Sequence, residues 1–217
     1  MPRKRVAILI SGRGSNMVAL IDAAKAADFP AEIVLVISNR PDAGGLLHAQ
    51  AASVATQTID HKKFANREAF EHELQRILEA SRIDIVCLAG FMRLLTPWLV
   101  SRWANRMLNI HPALLPSYKG LDTHERALAD GVKIHGATVH FVVPEMDSGP
   151  IIVQGAVGVR DDDTPDALAA RVIAVEHRIY PMALELVAAG KVTVAGEHCR
   201  IADAAEPAAP LISPNFG

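Results

Sequence analysis

Apolar residues along this chain fall into two patterns. Short continuous runs at 6–10, 33–37, 56–59, 85–88 and 107–110 predict strands. Longer stretches at 16–27, 45–52, 66–80 and 97–103 carry apolar residues at helical spacing and predict helices. Strands that are apolar on both sides, alternating with helices, predict a parallel sheet covered on both faces. Right-handed crossovers then give a doubly wound α/β fold. The second half changes character. A helix is predicted over 123–130. The runs 137–143 and 151–159 are separated by the turn-rich Pro144-Glu145-Met146-Asp147-Ser148-Gly149-Pro150, where no helix fits, so they predict an antiparallel hairpin added to the parallel sheet. A long helix is predicted over 164–189, with Thr164 as N-cap, Pro165 in the first turn and Gly190 as the stop. A short strand at 192–194 is expected to close a single domain spanning 1–201. The Ala- and Pro-rich residues 202–217 are expected to form a loosely attached tail.

The bulk numbers narrow the function classes. The 217 residues carry 22 Lys and Arg against 24 Asp and Glu, a net charge of −2, so there is no basic field for a nucleic-acid backbone. The one basic cluster, Arg3-Lys4-Arg5, runs directly into a strand. Two distant cysteines, Cys87 and Cys199, form neither a disulfide framework nor a zinc motif. No 18-residue apolar run and no signal-peptide pattern is present. The expectation is a cytoplasmic protein, monomer or homodimer, acting on small molecules, with no nucleic acid or membrane as partner.

Candidate chemistry concentrates at Asn109-Ile110-His111-Pro112. Side chains alternate along a strand, so Asn109 and His111 share a side while Ile110 turns into the packing. An amide and an imidazole side by side at a strand end can stabilise an oxyanion and move protons. Asp147 sits in the hairpin turn, where an Asp is commonly only a turn residue. The hairpin can lie beside the strand bearing His111, however, and a carboxylate there would orient the imidazole and stabilise its charged form. The loop Ser11-Gly12-Arg13-Gly14-Ser15-Asn16 joins the first strand to the first helix, where an anion meets backbone N–H groups. It lacks the third glycine of the dinucleotide fingerprint, Met17 standing in its place, and it lacks a Walker Lys. A phosphate is the ligand it suits. His48, His61, His72 and His198 look like surface residues, and His124, His135 and His140 show no metal-ligand spacing, so no metal is expected.

Taken in order, Ser11–Asn16, Ala89-Gly90-Phe91-Met92-Arg93, Asn109-Ile110-His111-Pro112, Gly136-Ala137-Thr138-Val139-His140 and Asp147-Ser148-Gly149-Pro150-Ile151-Ile152 resemble the phosphoribosylglycinamide formyltransferases. These are folate-dependent enzymes of purine synthesis, and the resemblance covers roughly residues 5–195. It implies the formyltransferase fold and formyl transfer from 10-formyltetrahydrofolate to the amine of glycinamide ribonucleotide. It also implies Asn109, His111 and Asp147 as the catalytic trio. Gly14, Ser15, Asn16 and Glu176 would hold the ribonucleotide. Arg67, Met92, Arg93, Leu94 and Leu95, with Val143, Pro144, Glu145 and Met146, would line the folate pocket. The stretch 118–122 departs from the pattern. Methionyl-tRNA formyltransferase would need a basic C-terminal domain, and formyltetrahydrofolate hydrolase an N-terminal regulatory one. A sugar-amine formyltransferase stays open, and so does a non-catalytic phosphometabolite sensor. The trio argues against the sensor.

Overall fold

Successive residues of the first strand face opposite helix layers, and this alternation explains the architecture. The computed structural model describes residues 2–205 and 211–214. Its elements run β1 (Lys4–Ile10), α1 (Ser15–Ala23), β2 (Ala31–Ser38), α2 (Gly45–Ala51), β3 (Ala55–Thr58), α3 (Arg67–Ala80), β4 (Ile85–Leu88), α4 (Pro97–Arg102) and β5 (Met107–His111). They continue as α5 (Thr123–Ala129), β6 (Ile134–Phe141), β7 (Ile151–Gly158), α6 (Pro165–Ala188), β8 (Val192–Ala195) and β9 (His198–Ile201). Val6, Ile8 and Ile10 pack with Met17 and Leu20 of α1, Leu46 of α2 and Val172 of α6. Ala7 and Leu9 pack on the other side, with Phe70 and Leu74 of α3 and Leu99 of α4. Both faces of the central strands are therefore dry, as the unbroken apolar runs require.

The main sheet has strand order β3-β2-β1-β4-β5-β6-β7. The first five strands are parallel, β6 pairs antiparallel with β5, and β7 antiparallel with β6. This is the doubly wound sheet with an added hairpin that the sequence predicts. The strand order reverses between β1 and β4, the place where open α/β sheets bind ligands.

On β5 the alternation has a particular result. Leu108 and Ile110 belong to the core under α6, together with Val139 and Phe141 of β6. Asn109 and His111, with Thr138 and His140 opposite them, therefore occupy the other face. There the loops roof the sheet: the Thr138 hydroxyl donates to the Ala113 carbonyl (2.7 Å) and accepts from the Leu115 N–H (3.0 Å). Beneath the site, the buried Tyr180 hydroxyl of α6 lies 3.0 Å from the Leu88 carbonyl and 3.2 Å from the Leu108 carbonyl, bridging β4 and β5.

The strand expected near 192–194 is present and lies outside the main sheet. As β8 it pairs with β9 in a separate two-stranded sheet, turning at Gly196 with φ +63°. β9 itself escapes sequence reading because His198-Cys199-Arg200-Ile201 has no apolar run. Helix α1 ends at Ala23 rather than 27, because residues 24–30 turn to feed β2 and Pro30 accepts from the Lys4 N–H (2.8 Å). The tail expected over 202–217 falls in part on residues 206–210 and 215–217, which lie outside the described residues.

The β6–β7 contact leaves no room for a side chain at Gly136. A Cβ built there would lie 2.0 Å from the Gly155 carbonyl oxygen and 2.9 Å from the Ala156 Cα. Gly136→Ala is expected to lower unfolding stability by about 2–4 kcal/mol, because backbone and not a flexible side chain must move. Urea denaturation checks this, and an unchanged midpoint would contradict the pairing.

Candidate active site

The end of β5 brings the expected trio together. His111 Nδ1 lies 3.4 Å from Asp147 Oδ2, both side chains being almost fully buried at 6% and 11% exposure. Asp147 adopts φ +50°, a left-handed conformation that non-glycine residues seldom take, and this aims its carboxylate back at the strand. The same oxygen accepts a hydrogen bond from the Gly120 N–H (2.9 Å). His111 Nε2 meets the Tyr118 carbonyl at 2.9 Å. Both ring nitrogens thus face acceptors, an arrangement that suits a positively charged imidazole.

Asn109 has a partner that sequence reading did not assign. Its Nδ2 lies 3.2 Å from His140 Nε2, directly across the β5–β6 ladder. His140 Nδ1 is 2.9 Å from the Phe141 carbonyl, so Nδ1 carries the hydrogen and Nε2 accepts from the Asn109 amide. Burial holds the His140 imidazole below the usual histidine range, in keeping with a neutral ring. One Asn109 N–H is fixed by His140, which orients the amide and leaves its second N–H to the cleft. The pairing rests on the β5–β6 register, which the sequence pattern does not carry.

The turn from β1 into α1 has the form expected of an anion site. Gly14 caps the helix at φ +76° with no side-chain cap, so the first N–H groups of α1 have no side-chain acceptor. A Cβ on Gly14 would come within 3.2 Å of both the Gly45 Cα and the Met17 side chain. Ser15 is exposed. Asn16 is not a free donor: its Nδ2 donates to Glu176 Oε2 at 2.7 Å, and its Oδ1 is buried without a partner. Burial raises the Glu176 carboxyl above its ordinary range, with Asn16 opposing that shift. The structure thus places Glu176 of α6 at this turn.

The residues expected to hold a folate lie on the loop after β4, the loop after β6 and the start of α3. Met92, Leu94 and Met146 are large apolar side chains at least half exposed, and the neighbouring Leu121 is 69% exposed. Exposed apolar side chains gathered beside a polar pocket mark a ligand surface. Phe91 and Leu95 of the loop after β4, and Val142 after β6, pack on the same core. Val143 is half-buried, while Pro144 and Glu145 are exposed. Arg93 stacks over the Phe70 ring at 5.4 Å, with its Nε buried and unpartnered. Arg67 is exposed at the start of α3. No direct contact ties Arg67 to the trio. Among the described residues no three His, Cys, Asp or Glu side chains are grouped to hold a metal. No helix among them is long and apolar enough to cross a membrane.

A mostly parallel sheet with an Asn–His strand end facing a loop Asp is the architecture of a formyl transferase, and the chain belongs to that family, whose model matches residues 4–184. Within it, the chain is similar to phosphoribosylglycinamide formyltransferase of Escherichia coli, 46% identical over 86% of this chain and 88% of that protein. It is also 49% identical to a human trifunctional purine biosynthetic protein over 92% of its own length, though it spans only about a fifth, 20%, of that relative. The crystal structure of phosphoribosylglycinamide formyltransferase from Brucella melitensis superposes with a TM-score of 0.84 at 53% identity, covering 89% of this chain and all (100%) of that one.

Behind His111 sits a second group of histidines. The His124 and His135 rings meet edge-to-face at 5.3 Å, with Tyr118 against His135 at 5.8 Å. Burial holds His124 below the usual range, and burial together with His124 pushes His135 down to about 4. An unfolded imidazole titrates near 6.5, so between about 6.5 and 4 the unfolded chain binds more protons than the folded one. Stability is therefore expected to be flat above that window and to fall as pH drops through it. Melting temperatures measured across pH 4–8 should show this slope, and His135→Phe should flatten it. Parallel slopes in both proteins would exclude His135 as the cause.

Proposed function

We propose that the protein transfers a formyl group from 10-formyltetrahydrofolate to the primary amine of glycinamide ribonucleotide. The products are formylglycinamide ribonucleotide and tetrahydrofolate, a step of purine biosynthesis. The observation that carries this reading is the convergence of Asn109, His111 and Asp147 at one strand end. The names and identities of the bacterial relatives support it, and so does the open N-terminus of α1 as a phosphate cradle. Both substrates are small molecules, and the reaction calls for neither a nucleic acid nor a membrane.

The amine attacks the formyl carbon, forming a C–N bond and moving an electron pair onto the formyl oxygen. The free N–H of Asn109 and the Nε2–H of His111 stabilise that oxyanion. To reach Nε2 the oxygen takes the place of the Tyr118 carbonyl, so loop 118–122 shifts when substrate binds. Asp147 accepts from Nδ1 and steadies the positive ring. Collapse breaks the bond to the folate nitrogen, which takes up a proton as the former amine releases one. No covalent enzyme intermediate is required, since a neutral amine is already a good nucleophile. Ser15, Gly14 and the first N–H groups of α1 hold the phosphate, with Glu176 beside them. Loops 91–95 and 143–146 form the folate walls.

Loss of 10-formyltetrahydrofolate absorbance should require added glycinamide ribonucleotide. Loss without the acceptor would favour a hydrolase instead. Asp147→Asn preserves size and removes charge. It should lower kcat by about 10²-fold or more with little change in either KM, because the lost interaction is strongest in the transition state. Near-normal kcat at neutral pH would return Asp147 to a turn residue. Gly14→Val, whose side chain would fill the cradle, should weaken ribonucleotide binding while tetrahydrofolate still binds. Equal turnover of an acceptor lacking the phosphate would remove the loop from the site.

A further inference from the structure

A buried polar chain crosses the ends of four strands without touching the trio. Ser11, 5% exposed, follows β1; Asn39, 2% exposed, follows β2; His61 follows β3; and Gly90 through Met92 follow β4. Ser11 brackets the turn after β4 from both sides. Its backbone N–H donates to the Gly90 carbonyl (3.2 Å), and its Oγ accepts from the Met92 N–H (2.8 Å). The Ser11 hydroxyl hydrogen goes to Asn39 Oδ1 at 2.6 Å. The Asn39 carbonyl is in turn held by His61 Nδ1 at 2.9 Å. His61, which resembled a surface residue in sequence, is thus half-buried and bonded. Gly90 itself has φ +69°, so the backbone reverses where Ser11 grips it. The chain floors a cavity of about 400 Å³ lined by Ser11, Asn39, His61, Gly90, Met92 and Arg93.

A hydroxyl is needed at Ser11 because the position must accept from one neighbour and donate to another at once. Alanine would leave the Met92 N–H without its partner and the side-chain oxygen of the buried Asn39 unpaired. Met92 and Leu94 are 67% and 59% exposed, so at Met92 itself the Ser11 bond is the anchor, while Arg93 over Phe70 and Leu95 on the core hold the segment further on. We infer that Ser11, backed by Asn39 and His61, is a positioning residue for folate: it fixes the Gly90–Met92 turn and so presets the loop that walls the folate pocket. The inference rests on the functional reading above. It is separable from the phosphate cradle, which begins at Gly14 on the far side of the same turn.

The test compares wild type with Ser11→Ala, Ser11→Thr and Asn39→Ala. Calorimetry gives Kd for tetrahydrofolate and for glycinamide ribonucleotide, and hydrogen exchange is followed at the Met92 amide. Ser11→Ala should raise Kd for tetrahydrofolate about tenfold, the worth of one net hydrogen bond, with ribonucleotide Kd unchanged and Met92 exchange accelerated. Ser11→Thr, which retains the hydroxyl, should restore much of the loss, and Ser11→Ala with Asn39→Ala should be little worse than Ser11→Ala alone. Faster exchange at Met92 with unchanged tetrahydrofolate Kd would overturn the inference while leaving the reaction standing. An equal loss for both ligands with a lower melting temperature would overturn it too, making Ser11 merely structural. Wild type that fails to bind tetrahydrofolate would sink the functional reading and the inference with it.

Discussion

The Asp147 carboxylate is the interaction on which the site depends. It lies in a low-dielectric spot, its side chain 11% exposed, and a charge there persists only if it is met by donors. One loop and one strand supply them: the Gly120 N–H at 2.9 Å and the His111 ring at 3.4 Å. The stretch 118–122 has Tyr118, Gly120 and Asp122 all at positive φ and is held by its neighbours: Arg126 donates to the Lys119 carbonyl, and the Tyr118 ring packs on His135. The buried anion is a further tie, through the Gly120 N–H. The same charge that steadies the imidazole therefore also organises the roof above it. Removing the charge would loosen both.

Much of this was legible in the chain because the physics involved is local. Runs such as Val6–Ile10 can only be strands buried on both sides, and alternation alone puts Asn109 and His111 on one side of β5. The glycines at 12 and 14 mark a tight turn between a strand and a helix from the sequence alone. What remained hidden depends on register and on long-range pairing. His140 orients Asn109 only because β6 pairs with β5 at that one alignment. Ser11, Asn39 and His61 lie 22 to 28 residues apart and meet only once the parallel strands are side by side. β9 carries no apolar run, so its pairing with β8 is written in the turn and in no hydrophobic pattern. The residues around Tyr118 have no periodicity at all.

Helix α6 links the two halves of the site in a way neither half reveals alone. Glu176 and Tyr180 stand one turn apart, on the same side of the helix. The first meets Asn16 at the start of α1 (2.7 Å), and the second reaches the carbonyls of Leu88 and Leu108 under the trio. The distance between the start of α1 and the end of β5 is thereby set by one helix that reaches both, and not by the loops around them.

One face of β5 and β6 rests on α6; the other, beyond Met107, which packs in the core with α3 and α4, is covered by loops. A helical lid would have fixed the height of the chamber to the diameter of a helix. A roof of loops has no such standard thickness, and closure entropy grows only slowly as a loop lengthens. The space above Asn109 and His111 is therefore the part of the molecule whose volume can be changed by insertion or deletion while the sheet beneath keeps its register. A search for variants that accept a bulkier amine would begin with the lengths of segments 112–122 and 142–150, well before any substitution in the strands.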